Sequence, residues 1–470
     1  VVCMTSSVPT SKPGSGWYGP IFTVFAMGNR MTFVTEEEGI NVFLKSKEVN
    51  FELAIQYPVY RIASIPKNIF LTLHEKLYVM MKGKLGTSNL YQLVGRLNEE
   101  FHEQLEDLGP HGTMDLISLV RRLLYPATVN VLFKKGLFLS HKRKLEDFYR
   151  HFQIYDESVE YGTQMPEWLL RNWSKSKRWL LALLEESISD IKAYKPEKDN
   201  SATFIQAVLE VVEGMAEGHS ANYTLLFLWA SLSNVVPEPE SASSAGQCQT
   251  REKLVLSTGW LCPAEGAFPE QAECSVLVLL IDKARPPPLV SEEITVWTLV
   301  FILSHADIYK TIMEAISSVL GRAGKEKITV SEDKLKKLLL IKWCILETTR
   351  LRAPGVITRK LVKPVKILNY TVPAGDLLML SPFWLHRNPE YFPDPESFRP
   401  ERWKEANLEK HAFLEGYMAF GAGKFQCPGR SVRPRGHMVQ SLQTDSWSSV
   451  LWLGPSLPGH QTPGKVREHG

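Results

Sequence analysis

Near its C-terminal end the chain reads AFGAGKFQCPGR, which places one cysteine, Cys427, behind an aromatic residue and two glycines. Most lone cysteines are small buried hydrophobes, so a core cysteine is the ordinary interpretation. A thiolate that ligates a metal instead needs an approach free of side chains. Gly421 and Gly423 permit such a tight loop, and Phe420 can pack against a flat ligand. Gly429 would let a helix begin close beneath the cysteine, so the segment leaves both interpretations open.

A second motif, ETTR, runs from Glu347 to Arg350 within the segment SEDKLKKLLLIKWCILETTRLRAPG at 331–355. Acidic residues in the first turn and a Pro-Gly pair at the end favour one continuous helix over this segment. At positions i and i+3 of a helix, the Glu347 carboxylate and the Arg350 guanidinium share a face and can pair. Taken alone, the motif predicts only a surface ion pair.

The cysteine segment resembles the haem-binding loop of the cytochrome P450 family, in the pattern Phe420-Gly421-x-Gly423-x-x-x-Cys427-x-Gly429. Ligation of haem by a cysteine thiolate is characteristic of that family. The resemblance implies that Cys427 is the proximal ligand of haem b, iron protoporphyrin IX. It also implies a mainly α fold with small β-sheets, a triangular helical prism around a buried haem.

Two further segments strengthen this resemblance. Glu347 and Arg350 are similar to the ExxR pair of the family, and FRPERW at 398–403 looks like its PERF-type segment. The resemblance implies that Arg402 joins the pair in a triad behind the haem loop. Buried charges persist only when they satisfy one another, which explains why three such groups would come together.

The similarity covers about residues 18–237 and 296–428 and is to the sterol-hydroxylating, bile-acid branch of the family. It is visible in stretches such as GPIFTVFAMGNRMTFVTEEEGINVFLKS, LLRNWSKSK, APGVITRK and SPFWLHRNP. It implies 7α-hydroxylation of a sterol with O2 and two electrons from NADPH, delivered by a flavoprotein reductase. The expected location is the cytosolic face of the endoplasmic reticulum membrane.

Further cofactor contacts follow from the resemblance. Arg359 stands where the family places an arginine that binds a haem propionate, although an exposed arginine is the alternative. Lys424 could replace the basic residue expected at position 425, which is Phe425 here. His74 could reach a propionate from its helix, but it could equally be an ordinary core or surface histidine. The full expected set is Phe420, Gly421, Gly423, Lys424, Gly429, Arg359 and His74.

The oxygen-activating side of the site departs from the family pattern. Most relatives carry an acid followed by threonine, whereas this chain has Asn234 and Val235 in WASLSNV. An amide can position water but cannot deliver its own proton at neutral pH. We expect an unusual proton relay that involves Asn234, Ser231 and the neighbouring Ala230, although the serine could simply face a helix groove. The expected substrate pocket includes Val235, Val356 and Ile357. The alternative is that they are ordinary core residues, which would look the same in the sequence.

Composition divides the chain into five parts. Residues 1–17 form an N-terminal segment outside the resemblance, without the membrane anchor of relatives. Residues 18–237 and 294–430 form the two parts of the haem domain. The segment 238–293 is rich in Pro, Ser, Gly and Ala and is predicted to be a disordered or foreign insertion, since it cannot bury enough apolar surface. The tail at 431–470 diverges from the family.

Bulk properties exclude several classes of protein. A net charge of +3 without a basic stripe gives no case for nucleic-acid binding. The six cysteines show no zinc spacing and suggest a reducing compartment. No apolar run reaches the roughly 20 residues that a membrane span needs.

The pattern of apolar residues also predicts the secondary structure. It predicts a hairpin around Gly28, a helix over TEEEGINVFLKS, mostly helix between 66 and 235 with Pro and Gly confined to connections, and two short strands in KPVKILNYTVPAGDLLMLSP.

Three functional hypotheses remain open from the sequence. The first is a membrane-associated sterol monooxygenase. The second is an isomerase-type haem-thiolate relative that needs no external electrons. The third is a truncated or mis-spliced isoform without catalytic competence, suggested by the insertion and the divergent tail.

Overall fold

The computed structural model describes residues 20–26, 28–35, 37–85, 87–107, 111–114, 116–137, 142–195, 202–232, 254–257, 294–320, 332–352, 356–404, 416–421, 424 and 426–427. Statements about structure concern these residues. They are mainly helical and contain three small β-sheets. Among them, no helix is both long and apolar enough to cross a bilayer.

The strands are short. They are β1 (Ile21–Ala26), β2 (Asn29–Val34), β3 (Val49–Asn50), β4 (His111–Met114), β5 (Leu254–Ser257), β6 (Ile357–Leu361), β7 (Val365–Ile367), β8 (Tyr370–Val372) and β9 (Leu377–Leu380). The largest sheet has the order β1-β2-β9-β6-β3, and β4 pairs with β5 and β7 with β8. Strand β2 runs parallel to β9, so the N-terminal hairpin joins strands more than three hundred residues later in the chain.

The helices pack beside this sheet. They are α1 (Glu37–Lys45), α2 (Phe51–Ala63), α3 (Lys67–Lys84), α4 (Thr87–Asp107), α5 (Leu116–Leu132), α6 (Lys142–Glu157), α7 (Val159–Gln164), α8 (Arg171–Ala193), α9 (Phe204–Glu213), α10 (Ser220–Leu232), α11 (Ile294–Ser304), α12 (Ala306–Leu320), α13 (Glu332–Lys337), α14 (Leu339–Arg352) and α15 (Pro382–His386). A 3-10 turn covers Pro400–Trp403.

Side-chain caps fix where two of these helices begin. Asn50 Oδ1 accepts a hydrogen bond from Leu53 N at 2.8 Å and so satisfies a free donor at the start of α2. At α9, Thr203 and Gln206 form a capping box in which each side chain accepts from the other residue's backbone N–H. Helix α2 ends at Ala63, and Ser64 caps it in the left-handed conformation, φ +55°.

Helix α14 lies between two hydrophobic clusters, and this placement positions the site. Cys344 and Ile345 belong to the main helical core. Leu346, on the next position, packs instead with Phe392 and Trp403. The residues that follow Leu346 on α14 are therefore enclosed between these two hydrophobic clusters.

Most of the predicted elements are confirmed. The hairpin forms with Ala26 paired to Asn29, and the helix over TEEEGINVFLKS is α1. The described part of 66–235 is mostly helical, with β4 and short connections such as 165–170 and 214–219 between the helices. Pro and Gly are not confined to connections, however, because Pro126 lies inside α5 and Gly83, Gly95 and Gly162 lie inside α3, α4 and α7.

Two other predictions differ from the structure. The helix over 331–355 is broken at Leu338, which is buried in the main core, so tertiary packing overrides local helix propensity there. The two strands expected after position 363 are three, because β7 and β8 form a separate hairpin and β9 joins the main sheet. The predicted insertion at 238–293 lies outside the described residues except for β5, and the tail at 431–470 lies wholly outside them.

Candidate functional site

The ETTR motif forms a buried network of charges rather than a surface ion pair. Glu347 is 0% exposed and accepts two hydrogen bonds from Arg350, Nη2 to Oε1 at 2.8 Å and Nε to Oε2 at 3.0 Å. Arg402 Nε donates to Oε1 at 2.9 Å, and Trp403 Nε1 donates to Oε2 at 2.9 Å. The backbone N–H of Arg399 adds a fifth donor at 3.1 Å. The carboxylate is thus satisfied without solvent.

Arg350 is satisfied on its other side by backbone carbonyls. Its Nη1 donates to His386 O at 2.7 Å and to Pro395 O at 2.6 Å, and its Nη2 donates to Ser397 O at 3.2 Å. The guanidinium also lies 5.2 Å from the centroid of the Phe392 ring. One side chain on α14 therefore fixes the path of the chain from α15 to the 3-10 turn.

His386 connects this network to the cysteine segment. Its Nδ1 lies 3.0 Å from Arg350 O, and its Nε2 lies 3.1 Å from the backbone N of Met418. Full burial lowers the pKa of His386 to about 3, with further lowering by the charges of Arg350 and Arg387. The imidazole is therefore neutral at physiological pH.

The Cys loop, residues 416–427, is described at 416–421, 424 and 426–427, and it turns at Gly421. Gly421 donates its N–H to Met418 O at 3.0 Å and has φ +71°, a conformation that L side chains rarely adopt. Cys427 is half-buried, and its backbone N–H donates to Phe420 O at 2.9 Å. Gly423 and Gly429 lie outside the described residues. Of the two predicted loop glycines that precede the cysteine, Gly421 has the expected backbone conformation.

Helix α3 holds the Cys loop from outside. Tyr78 donates its hydroxyl to Gln426 O at 2.7 Å, directly before Cys427. Lys424 pairs with Glu75 at 2.7 Å, and the hydrogen bond between them lowers the pKa of the glutamate and raises that of the lysine. Both of these side chains are exposed, so solvent screens the pair.

The two predicted propionate-binding residues meet at one aromatic ring. The Arg359 guanidinium carbon lies 4.8 Å from the centroid of Phe51 and 5.0 Å from that of Phe43. His74 lies 5.7 Å from the same Phe51 ring, centroid to centroid, and its Nδ1 is 2.9 Å from Glu52 Oε1. Arg359 is 8% exposed, so the exposed-arginine alternative is wrong. Desolvation lowers its pKa to about 10, which leaves the side chain charged at neutral pH.

The distal residues are only partly described. Ser231 donates its hydroxyl to Phe227 O within α10 at 2.7 Å, which agrees with the helix-groove alternative for this serine. Ala230 is half-buried on the same helix, whereas Asn234 and Val235 lie outside the described residues. The relay predicted for these residues therefore stays a prediction.

The two expected pocket residues that are described lie at the start of the strand after ETTR. Val356 packs against the cluster that contains Phe33 and Trp384, and Ile357 packs against the cluster that contains Leu361. Both are half-buried. Their role as pocket walls stays a prediction.

The sequence did not single out three residues that hold the site together. Trp403 ends the PERF-type segment and could have been noticed as a donor facing the triad. His386 and Tyr78 gave no comparable signal, because their partners are distant in the chain and only the fold brings them close.

The sequence is similar to one protein family and, within it, to two named relatives. The cytochrome P450 family profile matches residues 294–432. The chain is 61% identical over 414 residues to a human 24-hydroxycholesterol 7-alpha-hydroxylase, across 88% of this chain and 76% of the relative. It is 59% identical over 413 residues to the mouse protein of the same name, with the same coverage.

A solved structure agrees in fold. The chain resembles retinoic acid-bound cyanobacterial CYP120A1 with a TM-score of 0.62 and 15% identity, over 91% of this chain and 84% of that one. The expected mainly helical fold with small sheets is therefore confirmed. On the identity to the human and mouse proteins and on the family profile, this chain is a member of the cytochrome P450 family.

Proposed function

We propose that the protein is a haem-thiolate monooxygenase that hydroxylates an oxysterol at the 7α carbon, with 24-hydroxycholesterol as the first candidate substrate. The observation that carries the proposal is the 61% identity to a relative of that name over 88% of the chain. The satisfied network around Glu347 and the Cys loop attached to it support the same reaction class.

The described residues fit haem b as the cofactor. Cys427 offers a half-buried thiol at the end of a loop whose turn residue, Gly421, has a positive φ. Phe420 lies half-buried in the same loop. When bound, haem supplies the activation of O2, with electrons that originate from NADPH and arrive through a flavoprotein reductase.

Arg359 and His74 would bind the carboxylates of the cofactor. Arg359 is a buried cation, and a buried cation attracts an anion far more strongly than an exposed one. His74 packs against the same ring, that of Phe51. Lys424, which pairs with Glu75, would add a positive charge at the edge of the Cys loop.

Asn234 and Ser231 would order water on the distal side. An amide accepts and donates hydrogen bonds without changing its charge, and a serine hydroxyl that donates to a carbonyl retains lone pairs that accept. In this role the two side chains position water, and the proton itself comes from solvent. Val356, Ile357 and Val235 would line the sterol pocket, since an apolar wall suits a steroid.

An exposed apolar surface suits contact with the endoplasmic reticulum membrane on its cytosolic side. Trp168 is 71% exposed, and Leu169 beside it is exposed too. The neighbouring helices α7 and α2 add three exposed tyrosines, Tyr161, Tyr57 and Tyr60. Arg61 ties these segments together by donating to the carbonyls of Gly162 and Met165. Tryptophan and tyrosine are favoured at membrane–water interfaces.

The test is reconstitution of the haem-loaded protein with NADPH, a flavoprotein reductase, O2 and 24-hydroxycholesterol. We expect a 7α-hydroxylated product that disappears when the reductase, NADPH or O2 is omitted. Turnover that continues without the reductase would contradict a monooxygenase and favour an isomerase-type reaction. A haem-loaded protein that forms no product from any oxysterol tested would overturn the proposal.

A further inference from the structure

We propose that His386 is a positioning residue that fixes where the Cys loop begins and thereby sets the register of Cys427. The inference rests on the proposed haem-thiolate function and adds to it the group that connects the buried charge network to the loop. His386 is the last residue of α15 and lies 41 positions before Cys427 in the chain.

The hydrogen bonds of His386 allow a single tautomer. The backbone N–H of Met418 can only donate, so Nε2 of His386 must accept, at 3.1 Å. The proton therefore lies on Nδ1, which donates to Arg350 O at 3.0 Å. Both ring nitrogens are used, and each bond ends on a backbone group in a different part of the chain.

The surroundings of the ring keep it neutral and immobile. It is 0% exposed, stacks on Tyr417 with centroids 5.1 Å apart and meets the Phe392 ring edge-on at 6.2 Å. The nearby cations Arg350 and Arg387 disfavour a second proton on the ring, and the carboxylate of Glu347 is already satisfied by its own hydrogen-bond donors. Nε2 thus remains an acceptor for the Cys loop.

Two backbone hydrogen bonds link the position of Met418 to that of Cys427. Met418 O accepts from Gly421 N, which sets the turn, and Phe420 O within that turn accepts from Cys427 N. A displaced Met418 would move Phe420 and leave the backbone N–H of Cys427 without its acceptor. The orientation of the thiol therefore depends on a side chain that does not touch it.

The pair of variants His386→Asn and His386→Gln separates the two hydrogen bonds. The Asn amide nitrogen can take the place of Nδ1 and keep the bond to Arg350 O, but Asn is too short to reach Met418. The Gln amide oxygen can take the place of Nε2 and accept from Met418 N. Phe392→Leu is the matched control, because it weakens packing against the ring and leaves both hydrogen bonds in place.

Two readouts distinguish positioning from general stability. The first is hydrogen exchange at the Met418 amide in the haem-free chain, where we expect about tenfold faster exchange in His386→Asn and little change in His386→Gln or Phe392→Leu. The second is the carbonyl spectrum of reduced protein at equal haem content. We expect the thiolate-type band to give way to a non-thiolate band in His386→Asn alone.

Equal exchange and equal spectra in the Asn and Gln variants would overturn the proposal. If His386→Asn does not fold, nitrogen-labelled histidine in the wild-type protein gives the decisive measurement. A proton on Nδ1 of His386 supports the proposal, and a proton on Nε2 overturns it. The exchange and tautomer measurements need no haem, so their failure is distinct from a failure of the proposed function, which would appear as a wild-type protein without a thiolate-type spectrum.

Discussion

Trp403 donates its indole Nε1–H to Glu347 Oε2 across 2.9 Å, so an uncharged side chain completes the donors around a buried carboxylate. Two cations, Arg350 and Arg402, supply the remaining side-chain donors. Such a network is stabilising only when every group has a partner, because an uncompensated charge in the interior is costly. Substitutions at different members of the network should therefore lower the free energy of unfolding by different, measurable amounts.

Glu347→Gln should lower the free energy of unfolding by roughly 3–5 kcal/mol, since both cations lose their counter-charge. Trp403→Phe should cost about 1.5–3 kcal/mol, the usual loss for one hydrogen bond to a charged group. Arg399→Ala is the control, because Arg399 contacts Glu347 only through its backbone N–H, and it should change stability by no more than about 0.5 kcal/mol. Urea denaturation checks the order, and equal losses in all three variants would refute it.

Tyr78→Phe should leave the protein folded but loosen the Cys loop, because Gln426 O loses the donor that lies 2.7 Å away. We expect a smaller thiolate-type fraction in the carbonyl spectrum and a loss of about 0.5–1.5 kcal/mol in stability. Tyr161→Phe, at an exposed position of α7, serves as the comparison and should behave as wild type. Identical spectra for the two variants would show that Tyr78 does not hold the loop.

Gly162→Ala should destabilise the protein by about 1–3 kcal/mol through overpacking. A Cβ at this position would clash with the indole ring of Trp173, which is fully buried. Gly95 in α4 has open space around its Cβ position, so Gly95→Ala should instead add about 0.5–1 kcal/mol. Thermal melting of both variants gives the comparison, and a stabilised Gly162→Ala would contradict the packing described here.

His386 should make the protein sensitive to acid. Burial lowers its pKa from 6.5 to about 3, so between these values the unfolded chain binds a proton that the folded chain does not. The free energy of unfolding must then fall as the pH falls through this window. Measured by urea denaturation near neutral pH and at about pH 5, the decrease should be larger in wild type than in His386→Gln. Parallel pH profiles of the two proteins would exclude His386 as the source of the acid sensitivity.

Local patterns predicted the helices and the hairpin well, because the spacing of apolar residues reports which face is buried. The motif residues Glu347, Arg350 and Arg402 were also predictable, since the family resemblance groups them. Contacts between segments that are distant in the chain could not be predicted from the sequence. Leu338 interrupts a helix for tertiary reasons, and the bonds of Tyr78 and His386 to the Cys loop depend on how α3 and α15 pack.

The proposed function requires the thiol of Cys427 as the ligand of haem. The measurement is the absorption spectrum of the haem-loaded, reduced protein under carbon monoxide, for wild type, Cys427→Ser and Cys344→Ala, the last at a buried cysteine of the main core. Ligation by Cys427 predicts a red-shifted Soret band in wild type and in Cys344→Ala and none in Cys427→Ser. A red-shifted band that survives in Cys427→Ser, or its failure to form in haem-loaded wild type, would contradict it.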